Sequence, residues 1–316
     1  MNALFIGPGV SSTGMLTETM EVVMLPSLET SKCKIPSPFH TYISDYSMMT
    51  DKRGIDICGG MIGRRGIGQS SDCFRLPFNS KTWLQSPTIP SLTRGRKSAA
   101  SAFIKGKWWI AGGYDFDERA YLWTSEVRGD DDRWSPVVDL PSKMRQSLVV
   151  DLPSKMRQHC MVNIDENRVL LTGGFDGNYL SSTYLYDART NKWEKKKSFS
   201  TKRRAHSCAL IEKNKVMIVA GYNGRYISSS EIYSMETNTW QKGPSLPKGT
   251  YDAQMVTVHG RTYHMGGIGL KTDSFRLHKV NSFTLAWKKV GDLRVGKSDF
   301  KVVPIKFSSK TCNGWE

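Results

Sequence analysis

The chain has 316 residues and a formal net charge of +16, with 39% hydrophobic and 23% charged residues. No apolar run reaches the roughly 18 to 20 residues of a membrane-spanning helix, and no Pro/Ser-rich linker or low-complexity tract divides the chain. The N-terminal MNALFIGPGV has no basic stretch ahead of its short apolar run, so it does not read as a signal peptide and the chain reads as cytoplasmic.

In chain order, the first apolar run, ALFIGPG, ends in Pro8 and Gly9, with Cys33 further on. Five more runs end in a small-residue pair, each followed about 20 residues later by a tryptophan. They are Gly59–Gly60 with Trp83, Gly112–Gly113 with Trp134, Gly173–Gly174 with Trp193, Ala220–Gly221 with Trp240, and Gly266–Gly267 with Trp287. The tryptophans are 51, 59, 47 and 47 residues apart. The outlier arises because VVDLPSKMRQ occurs twice, at 137–146 and 149–158; one copy fewer restores a step of 47. Such a period marks one supersecondary unit copied in tandem.

Each unit reads as four short strands. In residues 204–243, HSCALIE is a first strand, KNK a turn and VMIVA a second strand ending at Gly221. The loop YNGRYISS leads to a third strand near Ser230, and METNT turns into a fourth carrying Trp240. Glycine relieves the backbone at the end of the second strand, and the indole fills space between neighbouring sheets.

This pattern resembles the kelch repeat, a blade of a β-propeller. The likeness is strongest in YLYDARTNKW and EIYSMETNTW, where Tyr186 and Tyr233 precede Trp193 and Trp240 by seven residues. It covers nearly the whole chain and implies an all-β fold: a six-bladed kelch β-propeller of four-stranded blades over residues 1–307, the first degenerate, then a tail at 308–316. The C-terminal DLRVGKSDFKVVPIKF repeats the first-strand signature, so residues 298–306 are expected to close the ring against residues 3–7. Closure removes open sheet edges. A chain with blades missing upstream is the alternative.

Cys160 and Cys208 hold equivalent first-strand places and read as small core residues. Cys58 ends a second strand and Cys73 begins the next, within reach of a disulfide. The CGG…DC arrangement resembles that of secreted invertebrate kelch proteins, which keeps a secreted chain open as an alternative location. His159 and His206 sit in Arg-x-His segments and read as structural hydrogen-bonding groups. No CxxC pair, phosphate-binding glycine loop or Tyr/Cys/His cluster of the copper radical oxidase kind can be assembled, so neither catalysis, metal nor cofactor is expected.

Charge carries the functional signal. Sorted by face, arginines and lysines fall on the side bearing the second-to-third-strand loops and the connections between blades, mixed with aromatics. On the kelch resemblance this face grips acidic peptide segments. The residues that correspond are Arg96, Arg157, Arg204, Arg225 and Arg294, with Tyr114, Phe175 and Tyr222; Tyr251, an aromatic among the same charges, joins them as a candidate binding residue. The expectation is a protein-binding adaptor or scaffold for an acidic segment. Actin scaffolding and, further off, a kelch-type enzyme are the alternatives. Nucleic acid is disfavoured, because the cations ring a depression instead of lining a groove. The sequence leaves the oligomeric state open.

Overall fold

A computed structural model of the chain describes its residues other than 1, 12–15, 18–19, 26, 30, 32–34, 36–42, 64–67, 137–150, 270–275, 282–285, 294–295 and 308–316; side chains at 16–17 and 276–281 are also outside the description. The first copy of the duplicated segment, Cys33, Arg294 and the tail therefore lie outside the described residues.

The second strand of each unit is the most buried. Gly54–Cys58, Arg168–Thr172 and Lys215–Val219 are runs whose side chains are almost all buried, since sheets cover both of their faces. Each such strand is flanked by antiparallel partners. Ala100–Ile104, Lys107–Ala111, Ser125–Arg128 and Trp134–Pro136 form one four-stranded sheet in chain order. Sheets of the same order start at Cys160–Asn163, Ser207–Glu212 and Gln254–Val258. The sheet Ser47–Thr50, Gly54–Cys58, Cys73–Pro77 has three strands, with a single bridge from Arg75 to Leu84 beside Trp83. Asn2–Ile6 lies between Glu21–Leu25 and Val302–Lys306, with Ala3 opposite Ile305 and Phe5 opposite Val303. The first strand of this sheet thus comes from the other end of the chain.

At the end of five second strands, at Gly59, Gly112, Gly173, Ala220 and Gly266, the chain enters the left-handed region. Gly113 has φ +104°, and a Cβ there would stand 2.7 Å from the Lys97 carbonyl oxygen, so no other residue fits without displacing backbone. At Gly173 a Cβ would meet His206 Cε1 at 2.7 Å. The next repeat carries Ala220 in place of that glycine, and Ala253 in place of that histidine.

The tryptophans tie each sheet to the connection before it. Trp193, Trp240 and Trp287 donate their indole N–H to the carbonyls of Asp151, Lys197 and Pro244 at 2.8, 2.8 and 2.9 Å. Tyr186 and Tyr233 lie 5.3 and 5.0 Å from the indoles that follow them, and their hydroxyls donate to Asn191 and Asn238 in the intervening turns. Trp134 is buried in a cluster with Ile110 of its own sheet and with Cys58 and Cys73 of the preceding sheet.

One circle of backbone hydrogen bonds joins the sheets at their inner ends. The amides of Ser98, Gln158, Ala205, Asp252 and Asp299 each donate to the carbonyl of the residue before in the series Asp45, Ser98, Gln158, Ala205, Asp252, and the Asp45 amide donates to Asp299. All six have φ between +51° and +57°.

Two disulfides occur among the described residues. Cys58 and Cys73 face each other across antiparallel strands and are bonded. Cys160 and Cys208 are also bonded, which corrects their reading as core thiols. The first strands of neighbouring sheets run side by side, with a Cα–Cα distance of 6.1 Å, inside the range a disulfide spans.

Candidate functional site

The connection before a first strand meets the loop after the glycine pair through short bridges: Lys97 with Tyr114, Arg157 with Phe175, Arg204 with Tyr222, and Tyr251 with Ile268. Directly opposed residues of an antiparallel pair set their side chains together, so each bridge places a cation or ring beside its neighbour. Phe175 and Tyr222 also open the loops FDGNY and YNGRY. Gly177 and Gly224, at φ +113° and +100°, turn each loop back on itself, so that Tyr179 and Tyr226 bridge to the first ring.

The result is a row of guanidinium groups set among rings. Arg157 lies 5.0 Å from the centre of Tyr114, 5.5 Å from Tyr121 and 5.8 Å from Phe175. Arg204 lies 5.1 Å from Phe175, 5.4 Å from Tyr222 and 5.9 Å from Tyr179. Lys97 stands over Tyr114 and Phe116 at 5.7 and 5.3 Å. Tyr251 continues the row, 5.4 Å from Tyr222 and stacked on Tyr226 at 5.6 Å. Cation–π contacts hold the arginine planes while leaving their N–H edges free to bind.

Both guanidinium groups keep N–H groups unpaired. Among the described residues the Arg157 side chain has no hydrogen bond and no ion pair, and its Nε is buried without an acceptor. Arg204 donates from Nη1 to Gln158 Oε1 at 2.8 Å, and its Nε has no acceptor. By contrast Arg94, on the same side, is committed to Asp115 and Glu118.

The structure thus brings together Arg157, Arg204, Tyr114, Phe175, Tyr222 and Tyr251. Arg96 does not join them. It is 2% exposed, pairs with Glu126 at 2.8 Å, and donates to the carbonyls of Gly112 and Thr124. Its own carbonyl is fixed by the Gly60 amide, one residue before the bridge, and side chains alternate along an extended segment, so Lys97 takes the outward place. Arg225 is exposed at the tip of its loop, apart from the stacked row. Sequence reasoning put Lys97 on the basic face without choosing it as a binding residue, and it missed Tyr121, Tyr179 and Tyr226. The aromatic-x-Gly-x-aromatic spacing of the FDGNY and YNGRY loops was the available signal for the last two.

The bridges also surround the mouth of a channel through the circle of six. A cavity of about 50 Å³ there is lined by Asp45, Asp252, Asp299, Lys301 and His159, among others. Burial raises the carboxyls of Asp252 and Asp299, which hydrogen-bond to each other, and the Asp45 and Asp252 charges add to the rise at Asp299. Asp45 accepts a hydrogen bond from the Ser98 hydroxyl at 2.7 Å. His206 Nε2 is bonded to Thr172 Oγ1 at 2.9 Å, the structural role expected of it. His159 is 7% exposed, and among the described residues neither ring nitrogen has a partner. Burial, with a smaller contribution from Lys301, lowers its pKa to about 3, so the ring is neutral.

Sheets of this order, joined by tyrosine–tryptophan pairs and glycine-ended second strands, define a kelch-type β-propeller. The model of the KLHDC2/KLHL20/DRC7 Kelch-repeats domain matches residues 2–221, and that of the Kelch motif matches residues 203–247. The chain belongs to the kelch-repeat family. No curated protein matches it. Kelch domains serve in general as protein-interaction modules.

Proposed function

We propose that this chain is an adaptor or scaffold that holds an acidic segment of a partner protein on the face carrying Arg157 and Arg204. The observation behind this reading is the unpaired guanidinium of Arg157, held by three rings and met by no carboxylate among the described residues. A carboxylate accepts two parallel N–H bonds from such a group, which lysine cannot reproduce. The exposed Phe116, Trp123 and Tyr226 supply apolar contact area nearby.

We read the scaffold as six blades over residues 1–307, closed where Asn2–Ile6 joins Val302–Lys306. Support comes from the circle of six backbone hydrogen bonds that returns to its starting residue. The two disulfides favour an oxidising compartment over the cytoplasm, where such bonds are kept reduced.

The test is binding of a fluorescein-labelled peptide of alternating Asp, Glu and Gly to wild type and to Arg157→Glu with Arg204→Glu. Wild type should bind and weaken as salt rises, and the variant should melt at the wild-type temperature with its affinity lowered by ~2 to 5 kcal/mol. Equal affinity of the two proteins would refute the assignment.

A further inference from the structure

The cations do not surround the channel. They occupy half of it. Around the circle, Lys97, Arg157 and Arg204 immediately precede Ser98, Gln158 and Ala205, three successive members. The other three successive members are themselves carboxyls, Asp252, Asp299 and Asp45, preceded by the uncharged Tyr251, Ser298 and Ser44. The mouth therefore has cationic side chains on one side and carboxyls on the other.

The acidic half holds groups of several signs. Lys301 lines the same cavity, and its ammonium acts on the acids through its field, as does Arg204 on Asp252. The chain's own lysine shows that an ammonium is accommodated beside these carboxyls. A second, independent feature is His159. Its neutral ring lines the cavity, more than nine-tenths buried, with both nitrogens unpartnered, whereas the equivalent His206 is engaged by Thr172. An unpaired imidazole nitrogen is an acceptor for an N–H donor, and an ammonium carries three such donors. A metal ion is a poorer fit, since no three ligand groups converge on one point among the described residues.

We propose that the channel mouth recognises a segment of mixed charge, in which an acidic side chain lies on Arg157 and Arg204 while a lysine ammonium of the same segment enters the channel against Asp252, Asp299, Asp45 and His159. This rests on the acidic-segment reading above and adds the second half of the ligand. As the ammonium enters, the proton shared by Asp252 and Asp299 leaves to solvent, so the pair ends as two carboxylates facing one new cation.

The experiment uses the full chain and three sets of labelled 12-residue peptides. One carries an acidic block alone. A second adds one lysine at two to six residues from the block, and a third carries norleucine, its neutral isostere, at the same places. At the best spacing the lysine peptide should bind at least tenfold tighter than its norleucine counterpart. Calorimetry in buffers of different ionisation enthalpy should show net proton release for the lysine peptide only. Asp252→Asn with Asp299→Asn should abolish both the tenfold preference and the proton release. Equal affinity of lysine and norleucine peptides at every spacing overturns this inference, and because it is read on wild type it does not depend on the variant folding. Failure of the acidic block itself to bind overturns the acidic-segment reading instead.

Discussion

Arg203 and Glu231 form an ion pair, 3.1 Å apart, in which the arginine is fully buried and its Nη1 also donates to the carbonyls of Ala220 and Ser229 at 2.8 Å. Arg96 with Glu126 repeats it, and Lys297 with Glu21 occupies the corresponding place between the two ends of the chain. These cations hold the connection before a first strand to the third strand of the same sheet. In one repeat, Met156 and Tyr184 stand at the two positions and belong to a common apolar cluster.

Removing one member of such a pair leaves the other buried and unpaired, which costs about 3 to 5 kcal/mol. Arg203→Ala should lose that much in urea unfolding. Arg203→Met with Glu231→Tyr, copying the apolar repeat, should recover most of it. A double variant no more stable than Arg203→Ala would show that the carbonyl contacts dominate.

Phe175 is shared by both open arginines, at 5.8 and 5.1 Å. Phe175→Ala should therefore loosen both at once. At about 0.5 to 1 kcal/mol per exposed cation–π contact, the acidic peptide should lose roughly fivefold to thirtyfold in affinity, measured by fluorescence anisotropy. Arg157→Lys should weaken the same peptide without moving the melting temperature, since the planar fork is lost and the charge kept.

Cys58, Cys73, Cys160 and Cys208 should not react with thiol reagents in denaturant until a reductant is added. The Cys160–Cys208 bond closes 48 residues. For a loop of this size, Cys208→Ala should cost roughly 2 to 5 kcal/mol. Non-reducing peptide mapping gives the pairing.

Two sets of buried groups titrate in opposite senses. The His159 pKa is lowered to about 3 by burial, below the ordinary value near 6.5. The unfolded chain binds the extra proton, so this contribution is complete above about pH 6.5 and is lost toward pH 3 at roughly 1.4 kcal/mol per unit. Asp252 and Asp299 are raised, so theirs is complete below about pH 3.9 and is lost as pH rises through the elevated values. His159→Gln should flatten the acid limb of stability, and Asp252→Asn with Asp299→Asn should raise stability at pH 8 relative to pH 5. Urea melts at pH 4, 5 and 8 separate the two.

Deleting residues 137–148 should leave soluble, folded protein. Leu152 and Met156 of the second copy fill the core, with Met156 N–H bonded to the Leu122 carbonyl and Leu152 N–H to that of Trp123. Doubling a loop changes closure entropy by only about 0.6 kcal/mol, so the melting temperature should barely move.

The sequence by itself determined the repeat, the strands and the pairing of chain ends. Glycine pairs at a positive-φ turn and tryptophans seven residues after a tyrosine act within a single unit, where spacing along the chain is enough to read them. It also placed Arg157, Arg204, Tyr114, Phe175, Tyr222 and Tyr251 on one face. What it could not give was the exchange of one register step at Arg96 and Lys97. Which of two adjacent cations turns inward is decided by a carboxylate, Glu126, that lies 30 residues away and meets it only across the folded sheet. The Cys160–Cys208 bond and the acidic half of the channel have the same origin. Their members are about one repeat or more apart, and only the radial arrangement of sheets around the circle brings them together.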